Sequence, residues 1–293
     1  MTPDYVFMTD SDSDLPFNIA KERNIPVVKM PYTLDGVEHL DDNGESGQEK
    51  TLFKRMREGS VPITSLLPTA VYLEYFEPIL KEKDLLFVAF SSQMSNTIQN
   101  VYEAREELLK KYPERKFMVL DTMSISLPMT LLLLQAHDMY LNGASMEEIE
   151  KWIMDNRFKV HAWFTVDNLI YLKRGGRITS TDAFFGSMLN IKPILTLGKC
   201  GKIVPESKVQ GHKKALKTIV ERTVANIENP ANQTIIIMHA DVEEHAIELQ
   251  KMLEAAIPEA KGHIELRMIG PVIGAHCGPG TLATCFMGRE RPI

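Results

Sequence analysis

The 293-residue chain has only three cysteines, Cys200, Cys277 and Cys285, so they cannot all pair within one molecule. A disulfide-stapled scaffold is therefore excluded, and the simplest expectation is a reducing cytoplasm. Basic residues are in deficit: 33 Lys plus Arg against 39 Asp plus Glu leaves a net charge of −6. That balance argues against a general nucleic-acid-binding surface, although it permits a local basic spot. Long apolar runs are missing too. The longest, around LPMTLLLLQA, falls well short of the ~20 residues a membrane span needs. The opening MTPDYVFMTDSD carries acids where a secretory signal has bases and an apolar stretch, so no such signal is expected. Several motifs are also absent: a P-loop, a GxGxxG after a strand, CxxC, GxSxG and HExxH. Methionine, by contrast, is plentiful, with 16 residues. It is a flexible gap-filler that suits an adaptable apolar pocket.

Apolar residues make up 44% and charged residues 25%, a normal globular mix. At roughly 100–200 residues per domain, the length suggests two domains or one large one. Buried-strand patterns at YVFM (5–8), DLLFVAF (84–90) and FMVLDT (117–122) alternate with amphipathic stretches. Helices are expected at 15–23, 47–60, 70–83, 97–111, 126–141 and 145–156. The repeated β-α order predicts a parallel sheet flanked by helices. After residue 157 the pattern changes. HAWFTV reads as a strand, and IKPILTL with KIVPES reads as a hairpin turning at 198–201. A helix at 213–227 leads to the strand TIIIMHA and a helix over 241–256. HIELRMI and PVIGAHC read as short strands, and GPGTLATCF reads as a glycine-rich closing turn. A domain boundary is placed near 157. This gives a domain 1–157 and a domain 158–293, with the last segment free to return to the first.

Several constellations are chemically suggestive. In SSQMSNT (91–97), four hydroxyls at Ser91, Ser92, Ser95 and Thr97 sit where a buried strand ends and a helix begins. Strand C-termini of open α/β sheets are where ligands bind, and helix N-termini favour anions; the alternative is a simple helix cap. TDSDSDLP (9–16) groups three acids. It lacks the spacing of an EF-hand needed for a hard metal, and Asp14, just before Leu15-Pro16, serves equally well as a helix cap. Thr64 and Ser65 precede another helix start. In YLKRGGRI, Arg174 and Arg177 flank Gly175-Gly176 and read either as anion ligands or as groups satisfying a helix C-terminus. VIGAHCGPG offers His276 and Cys277. Taken as a strand, it points them to opposite faces, which argues against a Cys–His dyad. His161, His239, His245 and His263 show no metal-ligand spacing. Hydroxyls, one loop histidine and arginine, without a nucleophile–base–acid set, fit binding an anionic group better than transforming it.

These motifs fall in a familiar order: TDSDSDLP at 9–16, TS at 64–65, SSQMSNTIQN at 91–100, LDTMSISL at 120–127, LIYLKRGGRI at 169–178, GSMLNIKPIL at 186–195 and GPVIGAHCGPG at 270–280. Together, across nearly the whole chain, they resemble the DegV family of bacterial fatty-acid-binding proteins, which includes the FakB subunits of fatty acid kinase. The resemblance implies a two-domain α/β fold: a largely parallel N-terminal sheet flanked by helices, and a second α/β domain with a mixed sheet. It implies a long-chain fatty acid in a buried apolar tunnel as bound ligand, and neither cofactor nor metal. Its carboxylate would be held by Thr64, Ser65, Ser92, Ser95, His276 and Arg177, with Met94, Asn96 and Gly278 in or near the acyl pocket. The implied role is that of a non-catalytic lipid-binding subunit, cytoplasmic and without stable membrane insertion or nucleic-acid binding. It would present the carboxylate to a separate ATP-dependent fatty acid kinase subunit, giving acyl-phosphate for phospholipid synthesis. The alternatives are a stand-alone acyl or phosphoryl hydrolase and a lipid-responsive regulator. Three positions depart from the family pattern: Leu66-Leu67-Pro68 after the Thr-Ser pair, Asn96 in place of Gly, and Gln210-Gly211-His212 where a basic residue is usual. Asn tolerates a left-handed backbone, so the turn at 96 is expected to survive. Met94, Met123, Met129 and Met188 lie in or near these motifs and are candidates to line the tunnel.

Overall fold

The computed structural model describes residues 4–178 and 190–292. β1 (Tyr5–Asp10), an apolar run, is buried almost throughout. It leads through α1 (Phe17–Glu22) to β2 (Val27–Val28). β3 (Pro31–Leu34) and β4 (Val37–Leu40) form a hairpin, followed by α2 (Gln48–Arg57) and β5 (Ile63–Thr64). Next come α3 (Thr69–Leu80), β6 (Asp84–Ala89), α4 (Thr97–Lys111) and β7 (Phe117–Asp121). α5 (Ser126–Leu141) and α6 (Met146–Asn156) complete this part. The Ser145 side chain and Glu148 close a capping box at the start of α6.

The first sheet is parallel, in the order β2-β1-β6-β7. The chain moves outward from β1 in one direction to β2 and in the other to β6. The C-terminal ends of β1 and β6 therefore border a topological switch point, where a crevice opens. A separate antiparallel sheet runs β4-β3-β5. It was not legible in the sequence, because β4 is mostly exposed and β5 has only two residues.

β8 (Val160–Thr165), α7 (Ile170–Arg174), β9 (Ile191–Leu197) and β10 (Ile203–Gln210) begin the second part. α8 (His212–Asn226), β11 (Ile235–His239), α9 (Glu243–Ala256), β12 (Ile264–Met268), α10 (Pro271–Cys277) and β13 (Leu282–Met287) follow. The mixed sheet has the order β10-β9-β8-β13-β11-β12, with only β11 and β12 parallel. Its strands alternate with period 2. Trp163, Ile194, Ile235 and Ile237 share one core with Leu216 and Ile219 of α8 and Leu249 and Leu253 of α9. Ala162, Phe164, Leu195, Leu197, Ile236 and Met238 belong to the larger core on the other side. α5 packs against β8 and β13 there and against residues 11–13. Its apolar surface runs nearly all the way round, as burial between layers requires.

Three expectations are corrected. PVIGAHC forms α10, not a strand: Pro271 opens the helix, and the Gly278 backbone, at φ +80°, ends it. The closing turn contains β13, which pairs with β8 and β11 near the middle of the mixed sheet. Asp14 does not cap α1. One carboxylate oxygen accepts from the Gly270 N–H at 2.9 Å and the other from the Ser126 hydroxyl. Asp14 thus ties the β1 loop to the start of α5 and to the residue before α10. Asp14 and Ser126 both hold left-handed backbones, at φ 52° each.

Candidate ligand-binding site

A cavity of about 440 Å³ lies beyond the C-terminal ends of β1 and β6 and against the mixed sheet. This is within the usual size of small-molecule sites. Its polar lining comes from loop residues and element ends. Thr64 and Ser65 follow from β5, Ser92, Ser95 and Asn96 lie between β6 and α4, Arg177 follows the Gly-Gly turn after α7, and His276 lies on α10. Its apolar wall joins loop residues of the first half to strand residues of the second. Phe90, Met94 and Ile125 belong to the first, and Ala162, Phe164, Leu197, Ile203 and Met238 to the second. Of the nine expected positions, eight line this cavity. Gly278 lies next to it: a Cβ there would sit 2.2 Å from the Tyr171 ring, so the missing side chain lets α10 end against α7. Among the four methionines, Met94 lines the cavity, Met123 and Met129 do not, and Met188 lies outside the described residues. Met30 and Met238 line it instead.

The Thr64 hydroxyl and His276 Nε2 are 2.9 Å apart. Burial, then the nearby Arg177 charge, pull the His276 pKa down to about 4, so the imidazole is neutral near pH 7. Arg177 donates to the Gly175 carbonyl and keeps further N–H donors. Asp12, buried at 4% exposed, also lines the cavity. Burial first, then the surrounding Asp10, Asp41 and Asp14, push its carboxyl well above the usual range, and Arg177 opposes the shift. The site thus sets one guanidinium beside a neutral imidazole and hydroxyls. That set can orient a carboxylate without a tight double ion pair.

The SSQMSNT hydroxyls divide their work. Ser91 donates to the Gly201 carbonyl at 2.8 Å, joining the loop to the β9–β10 turn. Thr97 shares a hydrogen bond with the Tyr72 hydroxyl. Ser95 accepts from the Thr97 N–H at 3.2 Å and Ser92 from the Gln93 amide at 3.2 Å, and both stay on the cavity wall. Asn96 sits at φ −80°, so the anticipated left-handed turn is not used. Cys277 and His276 both line the cavity, contrary to the strand-based reading. Cys277 is unsuited to nucleophilic attack for another reason. Burial pushes its thiol up to about 12, and the S–H donates to the Ile273 carbonyl at 3.1 Å.

The sequence reading missed Asp12 and Ser126 as cavity residues, weighing the first only as one of three grouped acids. Placement of TDSDSD at a strand's C-terminal end was the available signal for Asp12. It also missed the strand wall, because Ala162, Leu197 and Met238 carry no chemical signature.

A family model described as "Uncharacterised protein, DegV family" matches residues 6–289. The chain belongs to the DegV family. A DegV domain-containing protein of Clostridium perfringens is 39% identical over 98% of this chain and 98% of its own length. A DegV family protein from Thermus thermophilus, solved for its fatty acid binding, superposes with a TM-score of 0.85 at 27% identity, covering 97% of this chain and 99% of that one. DegV of Bacillus subtilis, a fatty acid binding protein, superposes with a TM-score of 0.80 at 26% identity, covering 98% and 100%. The two-domain α/β architecture of the DegV family, with a parallel sheet and a mixed sheet, is the one found here.

One DegV motif residue makes a sharp prediction. Gly175 has an ordinary helical backbone, φ −71°, so alanine fits its conformation. A Cβ there would nevertheless lie 2.2 Å from His276 Nδ1. Gly175→Ala is expected to displace the imidazole from Thr64 and weaken affinity for a ligand held at that pair about tenfold, the worth of one good hydrogen bond. Isothermal titration of the variant beside His276→Ala checks this. Equal losses are expected, and unchanged affinity in Gly175→Ala would refute the role given to that contact.

Proposed function

We propose that this DegV protein binds a long-chain fatty acid in the cavity. Its tail lies along the strand wall, and its carboxyl group meets Thr64, Ser65, Ser92, Ser95, His276 and Arg177. The observation that carries the reading is the joining of a neutral Thr64–His276 pair and one guanidinium to an apolar chamber. Burying about eight methylenes contributes on the order of 6 kcal/mol, so affinity resides in the tail and the polar group sets orientation. Weak hydrogen bonding leaves the carboxylate a competent acceptor. The protein then presents it to a separate ATP-dependent fatty acid kinase subunit in the cytoplasm, yielding acyl-phosphate for phospholipid synthesis. We take the chain as two units, 1–157 and 158–293. Fatty acid binding by the DegV proteins of T. thermophilus and B. subtilis supports the ligand class.

A hydrolase reading is not favoured. His276 Nε2 is bonded to Thr64, and no carboxylate orients the ring among the described residues. The kinase step is tested by mixing this protein, a fatty acid, ATP and the kinase subunit, and trapping product with hydroxylamine. Acyl-hydroxamate is expected only when all four are present. Its formation without this protein, or its absence with the complete mixture, would contradict the proposal.

A further inference from the structure

Of the buried aspartates around the β1 loop, Asp10, Asp14 and Asp41 have partners in the protein. Asp10 accepts from the Phe90 N–H at 3.3 Å, Asp14 from the Gly270 N–H at 2.9 Å, and Asp41 from the Asn43 N–H at 2.9 Å. Asp12 differs. It is 4% exposed, its Oδ1 is buried without a partner, and no hydrogen bond or ion pair holds its carboxyl among the described residues. Arg177 faces it, but that guanidinium donates to the Gly175 carbonyl. Asp12 belongs to the short turn after β1, residues 11–13, and lines the cavity.

Its place along the cavity is fixed by a second pocket of about 250 Å³ outside the first. Thr64, Arg177 and His276 border both spaces, so the position assigned to the carboxyl group is at their junction. Asp12 borders only the inner space, on the tail side of that junction. An acyl chain lying there excludes water, and a plain methylene chain leaves the Asp12 carboxyl dry and unpaired, which is unfavourable. A hydroxyl on the chain removes that cost. It accepts from a protonated carboxyl and donates to an ionised one, so the match holds in either state. Because Asp12 faces Arg177, which borders the carboxyl position, the hydroxyl belongs near the head of the chain and not along its tail.

We propose that the cavity takes a long-chain acid bearing a hydroxyl close to its carboxyl group, a β-hydroxy fatty acid, and that Asp12 selects it. The inference rests on the fatty-acid reading of the cavity and narrows its ligand class.

The test titrates palmitic acid, β-hydroxypalmitic acid and ω-hydroxypalmitic acid into the delipidated full-length protein and into Asp12→Leu. The wild type is expected to bind the β-hydroxy acid about tenfold tighter than palmitic acid, the worth of one buried hydrogen bond. It should bind the ω-hydroxy acid less tightly than either, because that hydroxyl meets the apolar wall. Asp12→Leu is expected to reverse the first preference and make palmitic acid the tighter ligand. Equal or weaker binding of the β-hydroxy acid by the wild type, or a preference for it that survives in Asp12→Leu, would overturn selection by Asp12 and leave fatty-acid binding standing. A gain for the ω-hydroxy acid as large as for the β-hydroxy acid would overturn it too, since the position of the hydroxyl would not be read. That comparison uses the wild type alone and decides the matter even if a melting curve shows Asp12→Leu to be unfolded. If the wild type binds none of the three acids, the fatty-acid reading itself has failed, and the inference with it.

Discussion

On the proposed fatty-acid reading, Ala162→Leu is expected to raise the melting temperature of the ligand-free protein and to weaken long-chain fatty-acid binding about a hundredfold. Ala162 lies on β8, is almost fully buried and lines the cavity beside Phe164, while Trp163 between them faces the opposite core. Three added carbons occupy cavity space where the proposed acyl chain would lie. Displacing three to four methylenes at about 0.8 kcal/mol each removes roughly 3 kcal/mol, near a hundredfold in affinity. In the empty protein the same carbons fill a void, and filling voids recovers lost contacts. Opposite signs of the two effects are the signature. Thermal melts with and without fatty acid, together with calorimetric titration, measure both. A variant that melts higher yet binds as well as wild type would show that the tail lies elsewhere.

Stability is expected to fall as pH rises from about 4 to about 7, the reverse of common acid unfolding. Four aspartates, Asp10, Asp12, Asp14 and Asp41, are buried around the β1 loop. Burial raises all four carboxyls in the folded state, Asp14 to about 7. Unfolded aspartates ionise from 3.8. The unfolded chain therefore loses protons first, and each increment of pH above that value favours unfolding until the folded group ionises too. Stability from these groups is complete below the unfolded pKa and is lost as pH climbs through the folded one. For Asp14 alone the difference is on the order of 4 kcal/mol. Exposed acids with lowered values, such as Asp35 and Glu148, act in the other direction, and solvent screens them. Urea unfolding between about pH 4.5 and about pH 8 should show the decline. Asp14→Asn should flatten it while keeping an acceptor for the Gly270 N–H. A wild-type stability that rises over that interval would mean the aspartates ionise normally in the fold.

How much was legible in the sequence varied with the length and regularity of each element. α5 spans the expected 126–141, and the box of Ser145 and Glu148 starts α6 where it was anticipated. Both are long elements with local signals. α10 was misread because its seven residues, rich in Val, Ile and Gly, are too short to show a helical period. β13 was hidden behind Gly278-Pro279-Gly280, whose turn chemistry dominates the local pattern. The polar half of the site was visible because hydroxyls, arginine and histidine are chemically distinctive and stand in motif order. Asp14's actual partners, Gly270 and Ser126, are separated from it by 256 and 112 residues, and no local pattern encodes such a link. The apolar wall has the same difficulty, since alternate residues of four strands become one surface only when β13 inserts between β8 and β11.

The most direct measurement is the lipid content of the purified protein. Organic extraction of the denatured chain, followed by mass spectrometry, should recover long-chain fatty acid at close to one molecule per chain. His276→Ala should carry less of it, and Ala162→Leu almost none. Protein that yields no fatty acid and takes up none when it is added would contradict the account at its centre.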